Sequence, residues 1–149
     1  MPMYTARIDP EAVATAATET LVQIVTGSTR QVKVKEWGVS FDGTSATATP
    51  IRVDLLRQTT AGTSSSLTII ENDPTGPAPI STALQDFSAE PTAGDVLWSQ
   101  YLTPAGGFDR VQLPLGEEIV VDVSTRIGLR VVVPSGSNCN ATAYIKFEE

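Results

Sequence analysis

Along much of this chain apolar residues alternate with polar ones, and few recur at helical spacing. Ile51, Val53 and Leu55 alternate with Arg52 and Asp54, while Ala141, Ala143, Ile145 and Phe147 alternate with Thr142, Tyr144 and Lys146. A period of two sends successive side chains to opposite faces of a strand, so each segment is expected to bury one face and wet the other. β-Branched runs of the same kind occupy 20–25, 30–41, 50–56, 66–70, 96–102, 109–115, 118–123, 128–134 and 141–147, which predicts eight or more strands. Turn residues separate them: Gly27-Ser28, Asp42-Gly43, Gly106-Gly107, Gly116 and Ser135-Gly136-Ser137. Strands joined this way, with no long amphipathic helix between them, predict an all-β antiparallel sandwich of jelly-roll type, a single domain over residues 1–149.

Four stretches depart from the simple pattern. In 30–41, Val32 and Val34 hold one phase and Trp37, Val39 and Phe41 the other. Either a β-bulge near Lys35 and Glu36 restores the second set to the core, or both faces are buried in places. Trp37, in phase with Val39 and Phe41, is expected in the core. At the N-terminus Tyr4, Ala6 and Ile8 alternate with Thr5, Arg7 and Asp9, the pattern of an extended arm over residues 1–9 able to add as an edge strand to a partner. Pro10 and the alanines of 10–21 suit a short helix, whereas the threonines there oppose one. Residues 71–95, rich in Pro, Ala, Gly and Ser with Ile80, Leu84 and Phe87 as apolar anchors, read as one long loop, either functional or a surface excursion.

Charge narrows the partners. With 10 basic and 17 acidic residues the chain carries −7, and its cations are scattered, which argues against nucleic acid and anionic membranes. The first residues show no basic segment followed by an apolar core, and no run approaches the ~18 apolar residues of a membrane span, so a soluble product is expected. The single Cys139 excludes an internal disulfide and is expected to be an apolar filler. The absence of histidine removes the usual general base, the usual metal ligand and the Ser-His and Cys-His nucleophile systems together. Carboxylate pairs remain: Glu117 with Glu118, Asp122, Asp42 with Asp54, and Glu71 with Asp73. Neighbours on a strand face opposite sides, so Glu117 and Glu118 do not converge, and solvated turn charges explain the rest. The turns at Asp42-Gly43 and 71–76 lack the ligand ladder of a calcium loop. Asn140-Ala141-Thr142 matches a glycosylation sequon without the context that gives one weight. No enzyme, cofactor or metal is expected.

Trp98 and Tyr101 lie in opposite phases of one run, so at least one should reach the surface; a ligand-binding reading starts with this pair.

Three segments, "MYTARID" at 3–9, "WGVSFDGTSATATPIRVDLLRQTTAGTSSS" at 37–66 and "AYIKFEE" at 143–149, form a pattern that resembles the bacteriophage capsid decoration (cement) proteins with a β-sandwich body. They cover about half the chain. The resemblance implies a structural virion protein, made in the host cytoplasm and placed on the capsid exterior. It would bind the major capsid protein as a homo-oligomer, commonly a trimer, and carry no catalytic residues. Small uncharged turns at 42–49 and 59–66 would pack against neighbouring subunits, and Tyr4, Arg7, Ile8, Trp98 and Tyr101 are the candidate interface residues. The alternative is a receptor- or glycan-binding module of a phage tail or fibre, built on Trp98 and Tyr101 beside the long 71–95 segment.

Overall fold

A computed structural model describes residues 1–43 and 49–149 of the chain. The strands are β1 (Met3–Arg7), β2 (Glu11–Val13), β3 (Thr18–Val25), β4 (Val32–Phe41), β5 (Ile51–Gln58), β6 (Thr63–Leu67), β7 (Ile69–Glu71), β8 (Thr82–Ala89), β9 (Ala93–Leu102), β10 (Phe108–Gln112), β11 (Ile119–Val121), β12 (Arg126–Val132) and β13 (Cys139–Glu148). There is no helix among the described residues, and all pairings are antiparallel. The first sheet runs β10-β4-β13-β1-β7, with β11 also on β4 and β2 also on β13. The second runs β6-β8-β3-β12-β5-β9. The two pack face to face as a β-sandwich.

One apolar core lies between the sheets. β13 contributes Ala141, Ala143, Ile145 and Phe147, β5 contributes Ile51, Val53 and Leu55, and β12 contributes Ile127, Leu129 and Val131. The alternation read from sequence holds residue for residue in β13, whereas in β5 Asp54, Leu56 and Gln58 on the face expected to be wet are buried as well. Trp37 is buried too, and its ring meets Trp98 of the opposite sheet edge-on, with centroids 5.7 Å apart. The phase slip in β4 is a bulge: Glu36 pairs with Lys146 and Val34 with Phe147, leaving Lys35 as the extra residue.

Three expectations need correction. Residues 1–9 are no free arm, because β1 lies within the first sheet between β13 and β7. Its apolar phase meets the chain's own core: Tyr4, Ala6 and Ile8 are buried, and Tyr4 stacks on Phe147. Period two shows that a face is buried but not against which chain. The possible helix at 10–21 is instead β2, a turn with Ala16 in the left-handed region (φ 53°), and the start of β3, since pairing with β13 and β12 satisfies the backbone there. The segment 71–95 is not one loop, because β8 and the start of β9 lie inside it. The small-turn reading of 42–49 falls mostly on residues outside the described ones; that of 59–66 resolves into a turn leading to β6.

The link from β8 to β9 shapes the second sheet. These strands stand four interstrand gaps apart, about 19 Å on a flat sheet, whereas Ala89 to Ala93 spans at most about 14 Å. β8 therefore cannot stay flat beside β3. It pairs with β3 only from Thr82 to Leu84, passes Asp86 in the left-handed region (φ 52°), and continues along β6. Where β8 leaves, the Glu90 carboxylate takes over, accepting from the backbone N–H of Thr20 (2.9 and 3.0 Å) and from its hydroxyl (2.6 Å).

Candidate interaction face

The outward positions of the first sheet form the most chemically varied surface of the molecule. Strand register sets them in rows across β10, β4, β13 and β1. Arg110, Gly38, Tyr144 and Arg7 share one row; Gln112, Glu36, Lys146 and Thr5 share the next; Phe108, Ser40 and Thr142 share a third.

Gly38 makes room for an aromatic side chain. A Cβ there would sit 2.5 Å from Cε1 of Tyr144, so the ring lies over bare backbone. This placement lets the Tyr144 hydroxyl donate to the Glu36 carboxylate. Arg110 Nε and Lys146 Nζ each stand 3.6 Å from the same carboxylate, whose side chain is 8% exposed. Burial, and then Glu36, push the Tyr144 phenol well above its ordinary range, so it stays a donor at any physiological pH. The bulge at Lys35 delivers its ammonium to Glu118 (2.5 Å) and Glu148 (2.8 Å). Hydrogen bonding to Lys35 holds Glu118 down to about 2, and the same bonds raise Lys35.

Two concavities flank the Glu36 cluster. A wide groove of about 750 Å³ is bordered by Met3, Lys35, Leu115 and Glu148, and a smaller one of about 260 Å³ by Ser40, Phe108, Arg110 and Tyr144. Phe108 is 77% exposed although it is a large apolar side chain. Charge is segregated here. This face and its rim hold Arg7, Lys33, Lys35, Arg110 and Lys146, half of the 10 cations and every lysine, against Asp9, Glu36, Asp109, Glu118 and Glu148 of the 17 carboxylates. The face is therefore neutral, and the remainder of the chain carries −7.

The acidity gathers on the β2–β3–β8 side, where Glu11 is pushed up to about 7 by burial and then by Asp86, Glu19 and Glu90.

The five candidate interface residues do not converge. Tyr4 and Ile8 are core residues, and the Tyr4 hydroxyl donates to the Pro77 carbonyl (2.9 Å). Arg7 is exposed on the first sheet and paired with Asp9 at 3.2 Å. Trp98 is half-buried against Trp37, while Tyr101 is 66% exposed on the far side of the second sheet, opposite Arg52. Lys35, Glu36, Phe108 and Arg110 were missed as candidates. Their only signal in the sequence is that most are the polar members of alternating runs.

The carboxylate pairs serve the fold. Asp54 is fully buried on the second sheet with Arg130 Nε at 3.1 Å, Arg52 Nε at 3.2 Å and the Ser99 hydroxyl. Asp122 accepts from Gln31, Asp42 from Asn140 and Asp73 from Thr75. No group of three or more His, Cys, Asp or Glu residues among the described ones is placed to hold a metal ion. Cys139 is buried, and burial followed by Asp42 raises its thiol. No helix among the described residues is long and apolar enough to cross a membrane.

Among known proteins, no family profile matches the chain and no curated relative is found.

Proposed function

We propose that this is a structural virion protein: a non-enzymatic β-sandwich that assembles as a homo-oligomer, a trimer by the resemblance described above, and stabilises a phage capsid by binding the major capsid protein on its exterior. The observation that carries the reading is the open edge of the second sheet. β9 is ten residues long, pairs only with β5, and holds Asp95 as its one charged residue. Val96, Leu97 and Tyr101 are all exposed along it. Edge strands of proteins that stay alone are generally blunted by lysine, proline or bulges; β9 has neither lysine nor proline, although its pairing with β5 slips at Leu97. Such an edge fits pairing with another subunit, where backbone groups supply affinity and exposed side chains supply register.

Multiplied over many copies on a lattice, a modest contact of this kind holds firmly. The buried carboxylates of Asp54, Glu36 and Glu149 are held in structural hydrogen bonds, while Glu19 Oε2 is buried without a partner. The glycan reading built on Trp98 and Tyr101 is weaker, because Trp98 turns inward to Trp37 and leaves Tyr101 without a second ring beside it.

The test is co-sedimentation of the full chain with empty capsids, using wild type and a Leu97→Lys/Tyr101→Lys variant. Saturable binding by an oligomer, lost in the variant, is the expected result. A monomer that ignores capsids would overturn the reading.

A further inference from the structure

The smaller groove on the first sheet has a chemistry of its own, independent of the β9 edge and of the virion reading. One wall is the Phe108 ring, standing on an edge strand with most of its surface in water. An exposed aromatic ring offers a flat apolar platform. Across from it the hydroxyls of Ser40 and Thr142 lie 2.8 Å apart, a donor–acceptor pair on the pleated surface. Beside them, in the next row, stands Arg110, its side chain 62% exposed.

That guanidinium is under-used. Its Nε is 3.6 Å from Glu36, too long for a hydrogen bond, and Nη2 makes only a 3.4 Å contact with Gln112. Glu36 is already satisfied by the Tyr144 hydroxyl, and Asp109 is occupied in part by the Arg110 backbone N–H at 2.8 Å. The fork of Arg110 is therefore available for a planar anion, with Lys146 adding positive charge from the next row and Asp109 the one carboxylate in the groove's lining.

Size selects among anions. About 260 Å³ is the volume of roughly nine waters, enough for one sugar ring but too small for a helix about 10 Å across. We propose that this groove is a subsite for an acidic saccharide, a uronic acid residue within a chain. Its apolar ring face would stack on Phe108, its carboxylate would take the Arg110 fork, and its hydroxyls would meet Ser40 and Thr142. The neutral face repels such a chain less than the remaining surface, which carries the whole −7.

The experiment is calorimetric titration of the full chain with oligogalacturonate, with the uncharged galactose oligomer of the same length, and with an oligoglutamate peptide. Oligogalacturonate is expected to bind best. Phe108→Ala should weaken it about tenfold, Arg110→Gln should abolish its advantage over the neutral oligomer, and Tyr101→Ala should change nothing. Both Phe108 and Arg110 are exposed, so the variants keep their fold. Absence of binding, binding indifferent to Phe108→Ala, or equally tight binding of oligoglutamate would each overturn the proposal.

Discussion

The outer faces of the two sheets use polar residues in opposite ways. On the second sheet Thr20, Gln23, Asp54 and Gln58 point away from the core yet are buried, Thr20 under Glu90 of the β8–β9 link and Asp54 among Arg130, Arg52 and Ser99. Shut off from water, they pair with one another and with these neighbours, although Gln23 Oε1 is left without a partner. Gln23 Nε2 donates to Gln58 Oε1 (2.8 Å), Gln58 Nε2 donates to the Thr20 hydroxyl (2.9 Å), and that hydroxyl donates to Glu90. On the first sheet Glu36 is buried and Lys35 is held at 2.5 and 2.8 Å, but Arg110 and Lys146 stay partly in water and their pairs with Glu36 are looser, at 3.6 Å. A covered face turns polar residues into structure, because a buried polar group left unpaired costs far more than an exposed one. An open face leaves them free for partners.

This contrast can be broken most severely at Asp54. Asp54→Ala would strand the mostly buried Arg130 guanidinium without its carboxylate, and a loss of about 3–5 kcal/mol is expected in urea denaturation. A pair of glycines sharpens it next. Gly128→Ala puts a Cβ 2.1 Å from Gln58 Oε1 and breaks the Gln23–Gln58–Thr20 chain, an expected cost of about 1–3 kcal/mol. Gly38→Ala meets the Tyr144 ring, which can swing into solvent, so its cost should stay near 1 kcal/mol or less.

Two carboxylates that both border the first sheet, Glu11 and Glu118, carry pH dependences of opposite sign. Glu11 has a folded-state value of about 7, above the ordinary 4.5, so the folded protein binds this proton more readily. Stability from Glu11 should rise as pH falls from above 7 towards 4.5, by about 1 kcal/mol once its partial exposure is discounted. Glu11→Gln should flatten that slope and stabilise the protein at pH 8. Glu118, held at about 2, contributes stability that is present above 4.5 and lost as pH falls through 2; Glu118→Gln removes that acid loss. The smallest effects belong to the open face: Arg110→Gln should shift stability by less than about 0.5 kcal/mol, while changing any binding that uses the face.

Sequence pattern reached the sheets more readily than the surfaces. β13 was legible because it has one buried face and a strict period of two; β5 was legible as a strand by the same period, but not the burial of its second face, and the Lys35 bulge was legible as a break in that period. β8 was not, since of its residues only Ala83 is buried and its order comes from pairing with β3 and β6. The run 66–70 also misled, because Leu67 and Ile69 belong to strands of different sheets one residue apart. The interaction face was the least legible. Arg110, Glu36 and Tyr144 lie on three strands up to 108 positions apart, and only register brings them together.

The most direct test of the assembly claim is the molar mass of the purified chain in solution, by light scattering at neutral pH. A stable oligomer is expected, three times the 15.8 kDa chain, reduced to monomer by Leu97→Lys/Tyr101→Lys. A wild-type monomer at every concentration, alone or with capsids, would contradict it.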